Sequence, residues 1–302
     1  MNQFKLTSPD KTQINVTIWD EVDSPKAIIQ ISHGMAEYGA RYDAFAIEMN
    51  KNGYIVVASD HRGHGLTSGY DNRGITSGDS FNDSVEDLAM VTGHVAYKYN
   101  LPVILLGHSY GSFLAQAYIE KHGSLIEGVI LSGSAYMNTA QVKMGGCIAG
   151  MQKALCGEAK PARLIEKLSF GSYNKPFEKE GKFAWLSRDL NSNSKYVKDD
   201  FCGFTMCLGF QASFLKNVSK LYGEEKLNAI PKTLPILILS GDNDPVGSNG
   251  KMTTKLYQTY KDFKLNAQIK LYEGARHEIL NETNKKEVYA DILAFADKCL
   301  KI

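Results

Sequence analysis

The chain has 302 residues, 43 % apolar and 22 % charged, with 34 basic side chains against 33 acidic ones and a formal charge of +1. That length and apolar content suit a full α/β core, with or without an insertion. The even charge balance, with no basic run or aromatic-basic stripe, excludes nucleic acid as an expected partner, and no run of ~18 apolar residues offers a membrane span. The opening Met1–Asp10 has no apolar stretch of the signal-peptide kind. Five cysteines, Cys147, Cys156, Cys202, Cys207 and Cys299, form no C-x-x-C. Reduced thiols in a cytoplasmic protein are therefore expected, with a Cys202–Cys207 disulfide or metal site as the lesser reading.

In chain order, Phe4–Ser8 and Gln13–Trp19 alternate about Pro9-Asp10-Lys11 and predict a hairpin. Ala27–Ser32 reads as a strand, Arg41–Lys51 as a helix, Tyr54–Ser59 as a strand and Phe81–Lys98 as a helix. The strand Val103–Gly107 leads into a helix from Tyr110, and Gly128–Ser132 is the next strand. From Tyr136 to about Ala229 the rhythm breaks into Met- and Phe-rich helical stretches. Leu234–Ser240, a helix over Lys251–Tyr260, the strand Asn266–Tyr272 and the helix Glu287–Leu300 complete the chain. Short β-branched runs alternating with helices predict a mostly parallel sheet with helices on both faces. The expected organisation is an α/β core from residues 1–135 and 230–302, with a mainly helical cap over 136–229.

Gly107-His108-Ser109-Tyr110-Gly111 lies where a buried strand meets a helix. Such a turn pushes the serine hydroxyl out at the top of a parallel sheet, and its glycines permit the close strand–helix approach. A serine needs a base, and the base needs a third group to hold its tautomer. In a doubly wound sheet these come from loops at the carboxyl ends of strands. Of the seven histidines, His277 alone follows the candidate acids. The acid is Asp244 or Asp242; Asp244 is preferred because Pro245 stiffens the turn directly after it. For the oxyanion the N–H of Tyr110 and the N–H of Met35, in His33-Gly34-Met35-Ala36-Glu37, are the candidate donors, with His33 bracing that loop. Asp60-His61-Arg62-Gly63-His64-Gly65 reads as a hydrogen-bonded loop in preference to a metal site, and no metal or organic cofactor is expected.

Several blocks resemble the α/β-hydrolase superfamily, specifically the monoacylglycerol lipase and lysophospholipase-like group often labelled serine aminopeptidase S33. They are His33–Tyr38 with Arg41-Tyr42, Asp60–Gly65 with Ser68-Gly69, Gly107–Gly111, Gly241–Val246 and His277-Glu278. The first block has Ala36 and Tyr38 where that group usually has glycine and often histidine. The resemblance implies an α/β-hydrolase fold, a triad of Ser109, Asp244 and His277, oxyanion donors Met35 and Tyr110, and small-molecule acyl ester substrates. These would be monoacylglycerols, lysophospholipids or other single-chain esters, with transient lipid contact through the cap. The oligomeric state is left open.

Two rivals use the same residues differently. An aminopeptidase needs an acidic pocket, for which Glu158, Glu166 and Glu178 are available in the insertion. A small-molecule binding protein on the same fold would leave the triad unused. The insertion's apolar load (Met144, Met151, Phe170, Phe183, Trp185, Phe201, Phe204, Met206, Phe210 and Phe214) packs it onto the sheet, and some of these side chains are expected to line an acyl pocket.

Overall fold

The computed structural model describes residues 1–137 and 139–300. Residue 138, inside the expected insertion, and 301–302, at the end of the expected core, lie outside the described residues. Among the described residues eight strands form one sheet: β1 (Asn2–Thr7), β2 (Gln13–Trp19), β3 (Ala27–Ser32), β4 (Tyr54–Ser59), β5 (Val103–His108), β6 (Gly128–Ser132), β7 (Ile236–Gly241) and β8 (Ala267–Tyr272). Their spatial order is β1-β2-β4-β3-β5-β6-β7-β8. The β1–β2 and β2–β4 pairs are antiparallel, and every pair from β4 to β8 is parallel.

The helices are α1 (Asp43–Lys51), α2 (Gly65–Ser68), α3 (Ser80–Tyr99), α4 (Tyr110–His122), α5 (Ala140–Cys156), α6 (Arg163–Phe170), α7 (Leu190–Lys198), α8 (Leu208–Val218), α9 (Glu224–Ala229), α10 (Lys251–Asp262) and α11 (Lys285–Cys299). The central strands read as unbroken apolar runs because both faces are covered. Ile28, Ile55, Val57, Val103 and Leu105 pack with α3, α4 and α10 through Leu88, Leu114 and Leu256. Ile29, Val56, Ala58, Ile104 and Leu106 point the other way, onto Phe45 and Met49 of α1 and Ile292 and Phe295 of α11. This alternation is the two-residue period of the pleat, seen from a sheet with two dry sides.

Most boundaries follow the sequence reading, and three differences have a physical cause. The stretch expected as one helix from Arg41 opens with a 3₁₀ turn, Gly39–Tyr42, and is α-helical from Asp43. Arg41 and Tyr42 turn inward there to bond Glu37. β7 starts at Ile236, two residues later than expected, because Pro235 has no N–H for the ladder. The single turn α2 is too short to show a period. Between β6 and β7 the chain runs through α5 to α9 and two 3₁₀ turns, Lys175–Glu180 and Ala184–Leu186. α5 packs on α8, which packs on α3, and so seats this insertion above the carboxyl ends of the strands.

Candidate active site

β3 and β5 are neighbours, while the chain leaves β3 toward β4 on its other side. Loops diverge at such a point and leave a crevice at the strands' carboxyl ends. Ser109 stands there, between β5 and α4, with φ +51° and ψ −119°. A non-glycine residue in this region is strained by roughly 1–3 kcal/mol and persists because its surroundings hold it. Here the Ser109 N–H donates to the Ser132 carbonyl at 2.9 Å, and the Ser112 hydroxyl donates to the Ser109 carbonyl at 2.6 Å. A Cβ on Gly111 would lie 1.9 Å from the Ser32 oxygen, so α4 meets the end of β3 backbone to backbone. Ser109 is half-buried, and its neighbours leave it facing the cavity described below.

Asp244 and His277 leave adjacent strands, β7 and β8, and both are buried. His277 Nδ1 lies 2.9 Å from Asp244 Oδ2. That carboxylate also accepts the Ser240 hydroxyl (3.2 Å) and the Val246 N–H (2.9 Å). Asp242, the alternative acid, instead accepts the Gly274 N–H at 2.8 Å and holds the β8 loop. Burial pushes the His277 imidazole down, but the adjacent Asp244 carboxylate outweighs it, so the pKa is raised above the ordinary 6.5. Among the described residues, His277 Nε2 is buried without a hydrogen-bond partner. It belongs to the same cavity as Ser109.

The loop after β3 closes over the serine: a Cβ on Gly34 would lie 3.3 Å from Ser109 Cβ. Among the described residues, neither the Met35 nor the Tyr110 N–H meets an acceptor, and both residues line the cavity. Three neutral histidines hold this loop from below. His33 accepts the His61 N–H at 3.0 Å and bonds the Gly34 carbonyl at 2.8 Å; His64 Nε2 accepts the Ala36 N–H at 3.1 Å. Burial lowers His33 and His64 to about 3, which keeps their acceptor nitrogens free of protons. Ala36 itself has φ +54°, which explains why glycine is usual there and costs this chain roughly 1 kcal/mol.

A second brace carries no sequence motif. Glu37 accepts the Gly34 N–H and the Tyr42 hydroxyl and pairs with Arg41. Arg41 reaches on to both oxygens of Glu278 at 3.1 and 3.0 Å. Burial raises the Glu278 carboxyl, but the Arg41 guanidinium dominates and holds it near 2. One cation thus ties the loop carrying Met35 to the loop carrying His277. The Glu37–Arg41 spacing of four residues was a visible hint; the link to Glu278 had none.

Above these groups lies a cavity of about 630 Å³, within the range of small-molecule sites. Its floor is Gly34–Glu37, His108–Tyr110 and His277-Glu278, and its walls include Phe113, Phe170, Phe183, Trp185, Phe204, Met206, Phe214 and Leu215. Of the apolar residues expected to pack the insertion, Phe201 and Phe210 do not line this space, and Met144 and Met151 are each 60 % exposed on the outer surface. Of the three candidate acids, Glu166 alone lines the cavity, flanked by Arg163 and Lys167; Glu158 pairs with Lys153. The five cysteines are free thiols. Among the described residues, no group of three His, Cys, Asp or Glu side chains converges as a metal site would, and no helix is long and apolar enough to cross a membrane.

Comparison with known proteins bears on the fold and the family. A monoglyceride lipase homolog of Monkeypox virus is 30 % identical over 288 residues, covering 94 % of each chain. A monoacylglycerol lipase of Mycolicibacterium smegmatis is 26 % identical, covering 92 % of this chain and 90 % of the other. The crystal structure of a thermostable carboxyl esterase from Bacillus coagulans superposes with a TM-score of 0.88 at 25 % identity, covering 99 % and 98 % of the two chains. With its eight-stranded, mostly parallel sheet and a match over residues 23–284 to the serine aminopeptidase S33 family model, the chain belongs to that family of α/β hydrolases.

Proposed function

We propose that the protein is a cytoplasmic serine hydrolase of carboxylic esters, acting on monoacylglycerols, lysophospholipids or similar single-chain acyl esters. The observation that carries this reading is His277: one ring nitrogen is held by a buried carboxylate, and the other is buried, unpartnered and in the cavity of a strained serine. Burying a polar nitrogen without a partner costs roughly 1–3 kcal/mol, and here substrate chemistry supplies the use for it. Ser109 Oγ attacks the ester carbonyl as His277 Nε2 takes its proton. Asp244 holds the Nδ1–H tautomer and stabilises the imidazolium, while the Met35 and Tyr110 N–H groups receive the oxyanion. The tetrahedral intermediate expels the alcohol, which takes its proton from His277. Water then enters by the same base and releases the acid and Ser109.

The insertion, residues 136–229, acts as the cap whose inner aromatic wall takes the acyl chain. On its outer side Met144, Met151 and Leu155 share one stripe of α5, and Leu164 and Leu168 one of α6, all at least 46 % exposed. Exposed apolar stripes of this kind on the insertion suit transient contact with a lipid surface. Five free cysteines, Cys147 and Cys156 among them exposed, fit a reducing compartment. Relatives named for monoacylglycerol and carboxyl ester hydrolysis support the substrate class. An aminopeptidase would need a carboxylate for the amine; Arg41 already engages Glu37 and Glu278 on the cavity floor, and the third lining carboxylate, Glu166, stands between the cations Arg163 and Lys167.

The test is a panel of p-nitrophenyl esters of graded length, a monoacylglycerol, a lysophospholipid and aminoacyl p-nitroanilides, each beside Ser109→Ala. Ester turnover lost in the variant is the expected result. Turnover confined to the anilides would shift the reading to a peptidase, and silence on every substrate would refute catalysis.

A further inference from the structure

Arg276 precedes the base in sequence and is 6 % exposed. A guanidinium is buried at a large cost unless its donors are matched. Among the described residues, all of its side-chain partners lie in one short stretch of the β6–β7 insertion. Nη2 donates to both carboxylate oxygens of Glu180 at 2.8 Å, Nη1 donates to the Ala184 carbonyl at 2.7 Å, and the guanidinium carbon sits 3.9 Å from the centre of the Phe177 ring.

The backbone continues the contact. The Glu278 N–H donates to the Leu186 carbonyl at 2.7 Å, and the fully buried Glu282 accepts the N–H groups of both Arg276 and Arg188. Residues 276–278 and 184–188 therefore lie side by side as one ribbon. That ribbon brings Trp185 against the base: its ring centre is 5.1 Å from that of His277, and the His108 ring lies 4.9 Å from the same imidazole. Asp244 fixes one nitrogen, while the two rings limit the tilt of the imidazole. One of those walls belongs to the insertion.

Resting on the esterase reading above, we infer that Arg276 is a positioning residue: by clamping the insertion's 177–187 stretch it holds Trp185 against His277, so that alignment of the base depends on how the insertion is seated. Phe183 and Trp185 also line the cavity, so an acyl chain touches the same stretch that orients the base. Lysine cannot replace the arginine, because a point charge supplies neither the fork to Glu180 nor the planar contact with Phe177.

The experiment measures kcat and KM on a p-nitrophenyl ester for Arg276→Lys, Glu180→Gln and the double variant, each normalised to active sites titrated to completion with a fluorophosphonate. Displacing a catalytic group by about 1 Å costs on the order of 100-fold. Arg276→Lys should lower kcat per titrated site about ten- to 100-fold with KM within about threefold. Glu180→Gln, a change at a half-exposed residue that leaves the fold intact, should lower kcat about three- to tenfold, and the double variant should match Arg276→Lys. The acid limb of kcat/KM should stay where the wild type has it, since the Asp244–His277 pair is untouched. Wild-type kcat per titrated site in either single variant would overturn the inference. So would a loss appearing only as fewer titratable sites, or only in KM. A wild type inactive on esters would be a separate result, sinking the esterase reading and this inference with it.

Discussion

Replacing Asp244 by asparagine tests the triad at its most specific point. The carboxylate has three donors to satisfy: the Val246 N–H on Oδ1, and the Ser240 hydroxyl and His277 Nδ1 on Oδ2. An amide has one oxygen. If that oxygen stays with the Val246 N–H, the amide NH₂ faces His277, whose Nδ1 must then accept, and the ring proton moves to Nε2. The base then presents a proton to Ser109 where it should take one. Flipping the amide would restore the Nδ1–H tautomer but set NH₂ against the part-buried Val246 N–H, an unmatched donor pair worth roughly 1–3 kcal/mol. That favours the wrong tautomer about five- to 150-fold. The imidazolium also loses its counter-charge, so kcat should fall about 10³- to 10⁴-fold in total. The wild-type base must be neutral to accept the serine proton, so activity is lost as pH falls through its pKa, which Asp244 raises above 6.5. In the variant burial remains and the largest raising charge is gone, leaving only Glu278 and Glu37 to raise it, so the acid limb should move to lower pH. Ester hydrolysis followed from pH 5 to 9 reads both effects. Asp242→Asn keeps an acceptor for the Gly274 N–H and should stay within about threefold of wild type. Asp244→Asn activity within tenfold of wild type, or an unmoved acid limb, would refute the assignment.

Three further outcomes follow from contacts in the structure. Glu37→Gln keeps an oxygen for the Gly34 N–H but removes one counter-charge of Arg41, which retains Glu278; a stability loss of about 1–3 kcal/mol by denaturant titration and a kcat reduced at least tenfold are expected. Unchanged kcat would separate this brace from the Met35 loop. Phe214→Ala removes a ring that lines the cavity and packs on Tyr110 and Phe113, so it should destabilise by about 3–5 kcal/mol and move the preferred acyl chain toward longer or bulkier groups; an unchanged chain-length profile would count against an acyl wall there. Gly111→Ala would place a methyl group 1.9 Å from the Ser32 carbonyl oxygen, backbone that cannot rotate away, and should yield insoluble or inactive protein. A soluble variant with wild-type turnover would refute the close approach of α4 to β3.

The strands, the helices on both faces and the seam at Ser109 were legible because each is a local pattern: an apolar run, a period, a glycine where backbone meets backbone. The meeting of Asp244 with His277 was legible too, because parallel strands send their loops to one end. Charged residues in those loops were harder to read. In a sequence, Glu37, Glu278 and Glu282 look like solvated loop carboxylates, yet they are 3 %, 5 % and 0 % exposed. Each is matched by an arginine: Arg41 bridges the first two, and Arg188 serves the third. Arg41 and Glu278 lie 237 residues apart, and no period or spacing connects them. The same holds for Arg276 and Glu180, 96 residues apart. These pairings share a cause. A catalytic loop cannot pack on apolar side chains alone, because its backbone N–H groups must face the reacting atoms, so its rigidity has to come from polar contacts made sideways. Buried carboxylates supply those contacts, and arginines, with five donors in a fixed plane, join one loop to the next. In this chain, then, the carboxylates Glu37, Glu278 and Glu282 flanking the Met35 and His277 loops are structural braces, not surface.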